Sequence, residues 1–141
     1  MHIYFSGSIR GSPSNKETYK QIIEFLCKYG TVLTEKTFDH SFEEEVKFDE
    51  KSIWERDMNW IKQCNALIAE ITAPSHGVGY EIAFARQLNK PILCLYQIEK
   101  GKKISAMLLG DPNIMIYQYS NVYDACNKID EWFTKINLNN I

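Results

Sequence analysis

The segment Ala66-Leu67-Ile68-Ala69-Glu70-Ile71 is nearly continuous apolar, without the in-and-out alternation of a half-solvated strand. It reads as a central parallel strand covered on both faces. That requirement constrains the rest of the chain, because parallel neighbours are joined by right-handed crossovers and the crossing helices must lie on both sides of the sheet. The flanking sequence supplies such units in alternation. Ile3 to Ser6 is a short apolar run broken by Gly7 and Gly11. Ser14-Asn15-Lys16-Glu17 then reads as a capping box opening a helix, whose stripe of Tyr19, Ile22, Ile23 and Leu26 continues until Gly30. Thr31 to Thr34 reads as a second strand, and Ser52 to Gln63 as a helix through Ile53, Trp54, Trp60 and Ile61. A helix from Val78 to Leu88 closes at Asn89 before Pro91, and Ile92 to Tyr96 makes a fourth strand. A short helix through Ser105 to Leu109, a fifth strand from Ile114 to Tyr119 and a helix from about Val122 to Ile136 complete the pattern. The expected fold is α/β: a doubly wound five-stranded parallel sheet in a three-layer αβα sandwich, flavodoxin-like or Rossmann-like, with strand order 2-1-3-4-5.

At 141 residues this is one domain, 1–141, large enough to need no staple. With 45% apolar and 24% charged residues it is neither disordered, collagenous nor coiled-coil. The net charge of -2 excludes a global electrostatic case for a nucleic-acid polymer and makes a small ligand the better expectation. Periodicity fails between Glu35 and Glu50, where seven acids face two lysines, so that stretch nets -5 and the remainder +3 (-2 minus -5). An acidic mobile loop over 35–50 is expected, as is a frayed tail over 137–141. Cys27, Cys64, Cys94 and Cys126 form no CxxC pair and read as buried thiols of a reducing compartment. No run of 18 apolar residues exists and no basic leader precedes the first strand, so no membrane contact and a cytoplasmic location are expected. His2, His40 and His76 fit no ligand spacing, and neither a metal nor a cofactor is expected.

In such a sheet ligands bind beyond the carboxyl ends of the strands, where the strand order reverses. Two loops lie there: Ser6-Gly7-Ser8-Ile9-Arg10-Gly11, and Pro74-Ser75-His76-Gly77-Val78-Gly79-Tyr80-Glu81. Both are rich in Gly and Ser, and the second enters a helix, so they suit an anion cradle; tight βα turns would have the same composition. Neither a Walker lysine motif nor a complete GxGxxG is present. Glu81, expected in the first turn of its helix, could serve the helix dipole or the chemistry. Asp57, in Glu55-Arg56-Asp57-Met58-Asn59-Trp60, is either a surface acid or a carboxylate over the switch point. Tyr4 is either core or a phenol aimed at the same crevice. Two carboxyl groups and a phenol beside an anion cradle suit cleavage at an anomeric carbon.

These segments, with Ile3-Tyr4-Phe5-Ser6-Gly7-Ser8-Ile9-Arg10-Gly11, Ala69-Glu70-Ile71-Thr72-Ala73-Pro74-Ser75, Lys90-Pro91-Ile92-Leu93-Cys94-Leu95 and Ser105-Ala106-Met107, resemble the 2'-deoxynucleoside 5'-phosphate N-hydrolases of the nucleoside 2-deoxyribosyltransferase superfamily. The likeness runs in order over nearly the whole chain. It implies hydrolysis of a deoxynucleoside monophosphate to free base and 2-deoxyribose 5-phosphate. Glu81 would attack C1', Tyr4 would orient it, and Asp57 would serve the leaving base. The phosphate would fall to Gly7, Ser8, Ile9, Arg10 and Gly11 with Ser75 and Gly77. Ser105, with Ala106 and Met107, would complete the neighbouring site of a homodimer. Related transferases carry an aspartate six residues before the nucleophilic glutamate; Ser75 stands there, which favours substrates with a 5'-phosphate. Ser12-Pro13-Ser14-Asn15 replaces a Gly-Arg continuation, and Lys36 stands where mammalian relatives have histidine. Other readings compatible with the scaffold are a deoxyribosyltransferase, a CMP-type ribonucleotide N-glycosidase and a noncatalytic nucleotide sensor.

Overall fold

The structure, a computed structural model, describes residues 1–9, 13–39, 47–97 and 103–138. Its elements are β1 (His2–Ser6), α1 (Pro13–Leu26), β2 (Thr31–Val32), α2 (Glu35–Asp39), α3 (Glu50–Gln63), β3 (Ala66–Glu70), α4 (His76–Gln87), β4 (Ile92–Gln97), α5 (Ala106–Leu109), β5 (Ile114–Tyr119) and α6 (Val122–Leu138). All strand pairs are parallel and the order is β2-β1-β3-β4-β5, as the alternation predicts. Every residue of β3 is buried, which is why its sequence shows no polar face.

Successive strand residues point to opposite faces, and the sheet divides its apolar residues accordingly. Ile3, Phe5, Ile68, Leu93 and Leu95 pack with Tyr19 and Ile22 of α1 and Ile129 and Phe133 of α6. Tyr4, Leu67, Ala69, Ile92 and Cys94 pack with Ile61 of α3 and Val78 and Ile82 of α4. The order puts the end of β1 beside the end of β3, in register Ser6↔Ala69, and the two loops suspected of function leave from there.

Several expectations are corrected. β2 stops at Val32 because Thr34 replaces the backbone ladder: its hydroxyl accepts from Phe5 N–H at 3.1 Å and lies 2.8 Å from Phe5 C=O, to which it donates. Helix α1 opens at Pro13, a residue suited to a first helical position, so Ser14 lies inside the helix and does not precede it as a cap would. The 35–50 stretch is not wholly loop. Glu35–Asp39 is a helical turn, and Asp49 caps α3 by accepting from Ser52 N–H at 2.8 Å. Residues 40–46 lie outside the described residues, as do 139–141 of the tail, whereas α6 holds Asn137 and Leu138 in helix. All four cysteines are free. Cys64 and Cys94 are buried, with thiols pushed up to about 11 and about 12 by burial, but Cys27 is exposed.

Gly7 owes its identity to packing. A Cβ there would stand 2.9 Å from Tyr19 Cε2 and 3.3 Å from Phe5 Cε1, and both rings are fixed in the core. Gly7→Ala is therefore expected to cost about 1–3 kcal/mol, the usual range for overpacking. Urea denaturation measures it, and an unchanged midpoint would show that the rings can yield.

Candidate active site

The two-residue period of β1 places Tyr4 and Ser6 on one face, toward α3 and α4. Helix α4 starts beside the end of that strand. Ser75 is its N-cap, with extended backbone and a hydroxyl accepting from Val78 N–H at 3.3 Å. The helix thus opens at His76, two residues earlier than the apolar spacing suggests, and Glu81 falls in its second turn. There the dipole has largely faded, so stabilising a helix end does not account for this carboxylate.

Glu81 turns instead toward the sheet. Ser6 Oγ donates to Glu81 Oε2, and the Tyr4 hydroxyl is a second hydrogen-bonding partner. Asp57, on α3, is near enough to bear electrostatically on both Glu81 and Tyr4. Arg56 Nε donates to Asp57 Oδ1 at 2.9 Å, and its guanidinium lies 5.0 Å from the centre of the Trp60 ring. At the solvent side, Trp54 Nε1 donates to the Tyr80 hydroxyl at 3.3 Å and clasps α3 to α4. Glu81 as a residue is half-buried, and its carboxyl is enclosed against Ser6 and Tyr4.

Burial is the main cause that raises the Glu81 pKa to about 7, and the negative charge of Asp57 adds to it. Hydrogen bonds from Ser6 and Tyr4, and the charge of Arg56, pull the other way. Tyr4 is held well above its ordinary range, chiefly by burial and then by Glu81 and Asp57, so it is a proton donor at every physiological pH. A carboxyl that ionises near neutrality, oriented by two hydroxyls beside a second carboxylate, is equipped for nucleophilic or acid–base work.

The anion-binding candidates divide into groups. Gly7, Ser8 and Ile9 follow β1, and Ser8 is buried with its N–H directed to the Tyr19 hydroxyl at 3.2 Å. Arg10 and Gly11 lie outside the described residues. A Cβ on Gly77 would meet only Ser75 Oγ, at 3.8 Å, so the fold does not demand glycine there; its lack of a side chain keeps the start of α4 open. Ser105 caps α5, accepting from Met107 N–H at 3.2 Å, and Ser105, Ala106 and Met107 are exposed. Ser105 and Met107, but not Ala106, line an open cavity of about 1200 Å³ together with Ser75, and Tyr4, Asp57 and Glu81 do not line it. Within one chain, then, the carboxylates and the β1 turn come together, while the Ser105 segment stands apart.

Two participants were not identified from sequence. Ser6 was legible in principle, since it shares a strand face with Tyr4. Arg56 carries no such signal beyond its adjacency to Asp57. Among the described residues no three His, Cys, Asp or Glu side chains converge as a metal site requires, and no helix is long and apolar enough to cross a membrane.

The chain is similar to known proteins in sequence and in fold. The family profile described as nucleoside 2-deoxyribosyltransferase matches residues 3–117. A 5-hydroxymethyl-dUMP N-hydrolase of Danio rerio is 38% identical over 143 aligned positions, covering 99% of this chain and 100% of the relative. The protein of the same name in Esox lucius is 43% identical over 122 positions, 84% of each chain. Among solved structures, the CMP N-glycosidase BcmB of Clostridium botulinum superposes with a TM-score of 0.67 at 19% identity, covering 92% of this chain and 99% of the other, a likeness of fold.

Proposed function

The chain belongs to the nucleoside 2-deoxyribosyltransferase family, and from that premise we propose that it hydrolyses the N-glycosidic bond of 2'-deoxynucleoside 5'-monophosphates through a glycosyl-enzyme on Glu81. The observation that carries the reading is the placement of Glu81, its carboxyl hydrogen-bonded by Ser6 and Tyr4 with Asp57 near both and pushed up to about 7 chiefly by burial. In the first step a Glu81 oxygen bonds to C1' as the C1'–N bond breaks. The bonding pair leaves with the base nitrogen, which takes a proton from Asp57 or from water that Asp57 steers. In the second step water gives a proton to the Asp57 carboxylate left by the first step and bonds to C1', Glu81 departs as carboxylate, and 2-deoxyribose 5-phosphate is released with its anomeric configuration retained. Tyr4 and Ser6 orient the nucleophile. The phosphate goes to the β1 turn, with Ser8, Ile9, Arg10 and Gly11, and to Ser75 and Gly77.

The test is incubation with deoxynucleoside monophosphates, their ribo forms and the unphosphorylated deoxynucleosides, with and without free adenine, following bases by chromatography. Base release from the deoxy monophosphates without adenine is expected. Exchange only when adenine is present would replace hydrolysis by transfer, cleavage of ribonucleotides alone would change the sugar preference, and binding without release would leave a sensor.

The acid limb of activity should report Glu81. Its attacking form is the carboxylate, so log kcat/KM is expected to fall with unit slope as pH drops below about 7. Tyr4→Phe removes a bond that lowers the pKa and should move the limb upward; the substrate phosphate also titrates, near pH 6, but would not respond to that change. A limb that stays in place would remove Glu81 from the assignment.

A second copy of the chain is proposed to complete the site. The 1200 Å³ cavity is walled by Val78 and Ile82 on one side and Ile104 and Leu108 on the other. At its rim Met107 is 82% and Leu109 58% exposed, so apolar surface lies open beside Ser105. A partner seated here would cover that surface and bring its own Ser105 to the neighbouring phosphate. Met107→Glu is expected to convert a dimer to monomers in analytical ultracentrifugation and to lower kcat/KM in parallel. A wild-type monomer of full activity would overturn this assembly.

A further inference from the structure

On the sheet face opposite Glu81 and Asp57 lies a second buried acid that the chemistry above does not use. Glu70 ends β3 and is 1% exposed. Thr72 N–H donates to its Oε1 at 3.0 Å, the Thr72 hydroxyl donates to the same oxygen, and the Tyr19 and Tyr119 hydroxyls complete the ring of partners. Burial pushes this carboxyl above its ordinary range against the pull of those hydrogen bonds. An apolar side chain would fill such a position at less cost in desolvation, so the acid supplies geometry rather than stability.

That geometry runs to the substrate loop. Tyr19 donates its hydroxyl proton to Glu70 and accepts the N–H of Ser8 at 3.2 Å. Its ring is held by edge contacts with Phe5 and Phe38, at 5.6 and 5.7 Å between centroids, and the missing Cβ of Gly7 makes room for it. Thr72 Oγ1 also accepts from Gln97 N–H at 2.9 Å. One buried cluster thus joins the ends of β1, β3, β4 and β5 beneath the two turns assigned to the phosphate. A free tyrosine hydroxyl could rotate its proton toward other acceptors. With that proton committed to a carboxylate, its lone pair is committed to Ser8.

We propose that Glu70, acting through Tyr19, is a positioning residue for the 5'-phosphate: it holds the Ser8 N–H inward, so that the turn meets the anion with the Ser8 hydroxyl and not with that N–H. This rests on the hydrolase reading of the same site. Tyr19→Phe removes only the hydroxyl and keeps the ring; Glu70→Gln keeps the shape and removes the charge. For a folded Tyr19→Phe, KM for a deoxynucleoside monophosphate should rise about 10-fold with kcat within about 3-fold, the pattern of a lost binding contact. KM for the unphosphorylated deoxynucleoside should not move, and exchange of the Ser8 amide with deuterium should accelerate. Equal losses on both substrates would reduce the cluster to a general structural role, and an unchanged KM despite a deprotected Ser8 amide would overturn the proposal. Should Glu70→Gln not fold, Tyr19→Phe decides alone. Should the wild type release no base from any monophosphate, the hydrolase reading fails separately. The positioning role is then read from calorimetric affinity for 2-deoxyribose 5-phosphate in wild type and Tyr19→Phe, where equal affinities would reject it.

Discussion

Glu81→Gln is expected to abolish base release and, at pH 8, to make the protein more resistant to heat. The loss of activity follows from the nucleophile: an amide has no carboxylate to offer C1', and removal of such a group costs several orders of magnitude, on the order of 10³ or more. The gain in stability follows from the raised pKa. A carboxyl at about 7 in the folded chain and near 4.5 in the unfolded chain favours folding in its protonated form. Its contribution is complete below the unfolded value and is lost as pH rises through the folded one. The ionised group therefore costs up to about 3 kcal/mol at pH 8, less what solvent at its exposed edge screens. Glutamine cannot ionise, so a rise of several degrees in Tm is expected at pH 8, shrinking by pH 5, where wild-type Glu81 is itself protonated. Calorimetry at the two pH values separates the outcomes. A variant that is less stable at pH 8 would mean that the bonds from Ser6 and Tyr4 outweigh burial. Residual turnover within tenfold of wild type would end the covalent route.

Ser75→Asp is expected to invert the preference between phosphorylated and unphosphorylated substrates. Aspartate is as good an N-cap as serine and is favoured by the helix dipole, so α4 should form as before. A carboxylate about 4–5 Å from a phosphate costs about 3–4 kcal/mol per unit charge at an effective dielectric near 20. The ratio of kcat/KM for a deoxynucleoside monophosphate over the corresponding deoxynucleoside should fall by about 100-fold or more. The ratio is the informative quantity, since a fold defect lowers both terms. An unchanged ratio would move the phosphate away from the start of α4 and take the proposed grip of the two turns with it.

The parts of the site differ in how far they could be read from residues alone. Glu81, Asp57 and Tyr4 were approachable because each sits in a segment whose type follows from periodicity, at a strand end or on a helix flanking β3. Ser6 shares the face of Tyr4, but a serine at a strand end reads equally as turn chemistry. The short helix Glu35–Asp39 was concealed by its own charge, since five residues are too few for a 3.6-residue period to emerge above an acidic background. The early end of β2 had no local signal, because it depends on the Thr34 hydroxyl meeting Phe5 across the fold. Glu70 carries no local signal of its role within an apolar strand, because its donors, Thr72, Tyr19 and Tyr119, gather only in the fold.

The residues by themselves determine the succession of strands and helices and the parallel sheet, because apolar periodicity is local and a strand without a polar face demands cover on both sides. They also nominate the loops at the carboxyl edge. Only the tertiary structure decides that Glu81 meets Ser6, that Glu70 gathers Tyr19 and Tyr119, and that Ser105 stands across a cavity from Ser75. Those meetings depend on how each helix is rotated against the sheet, which is settled by packing among residues distant in the chain and leaves no period to read.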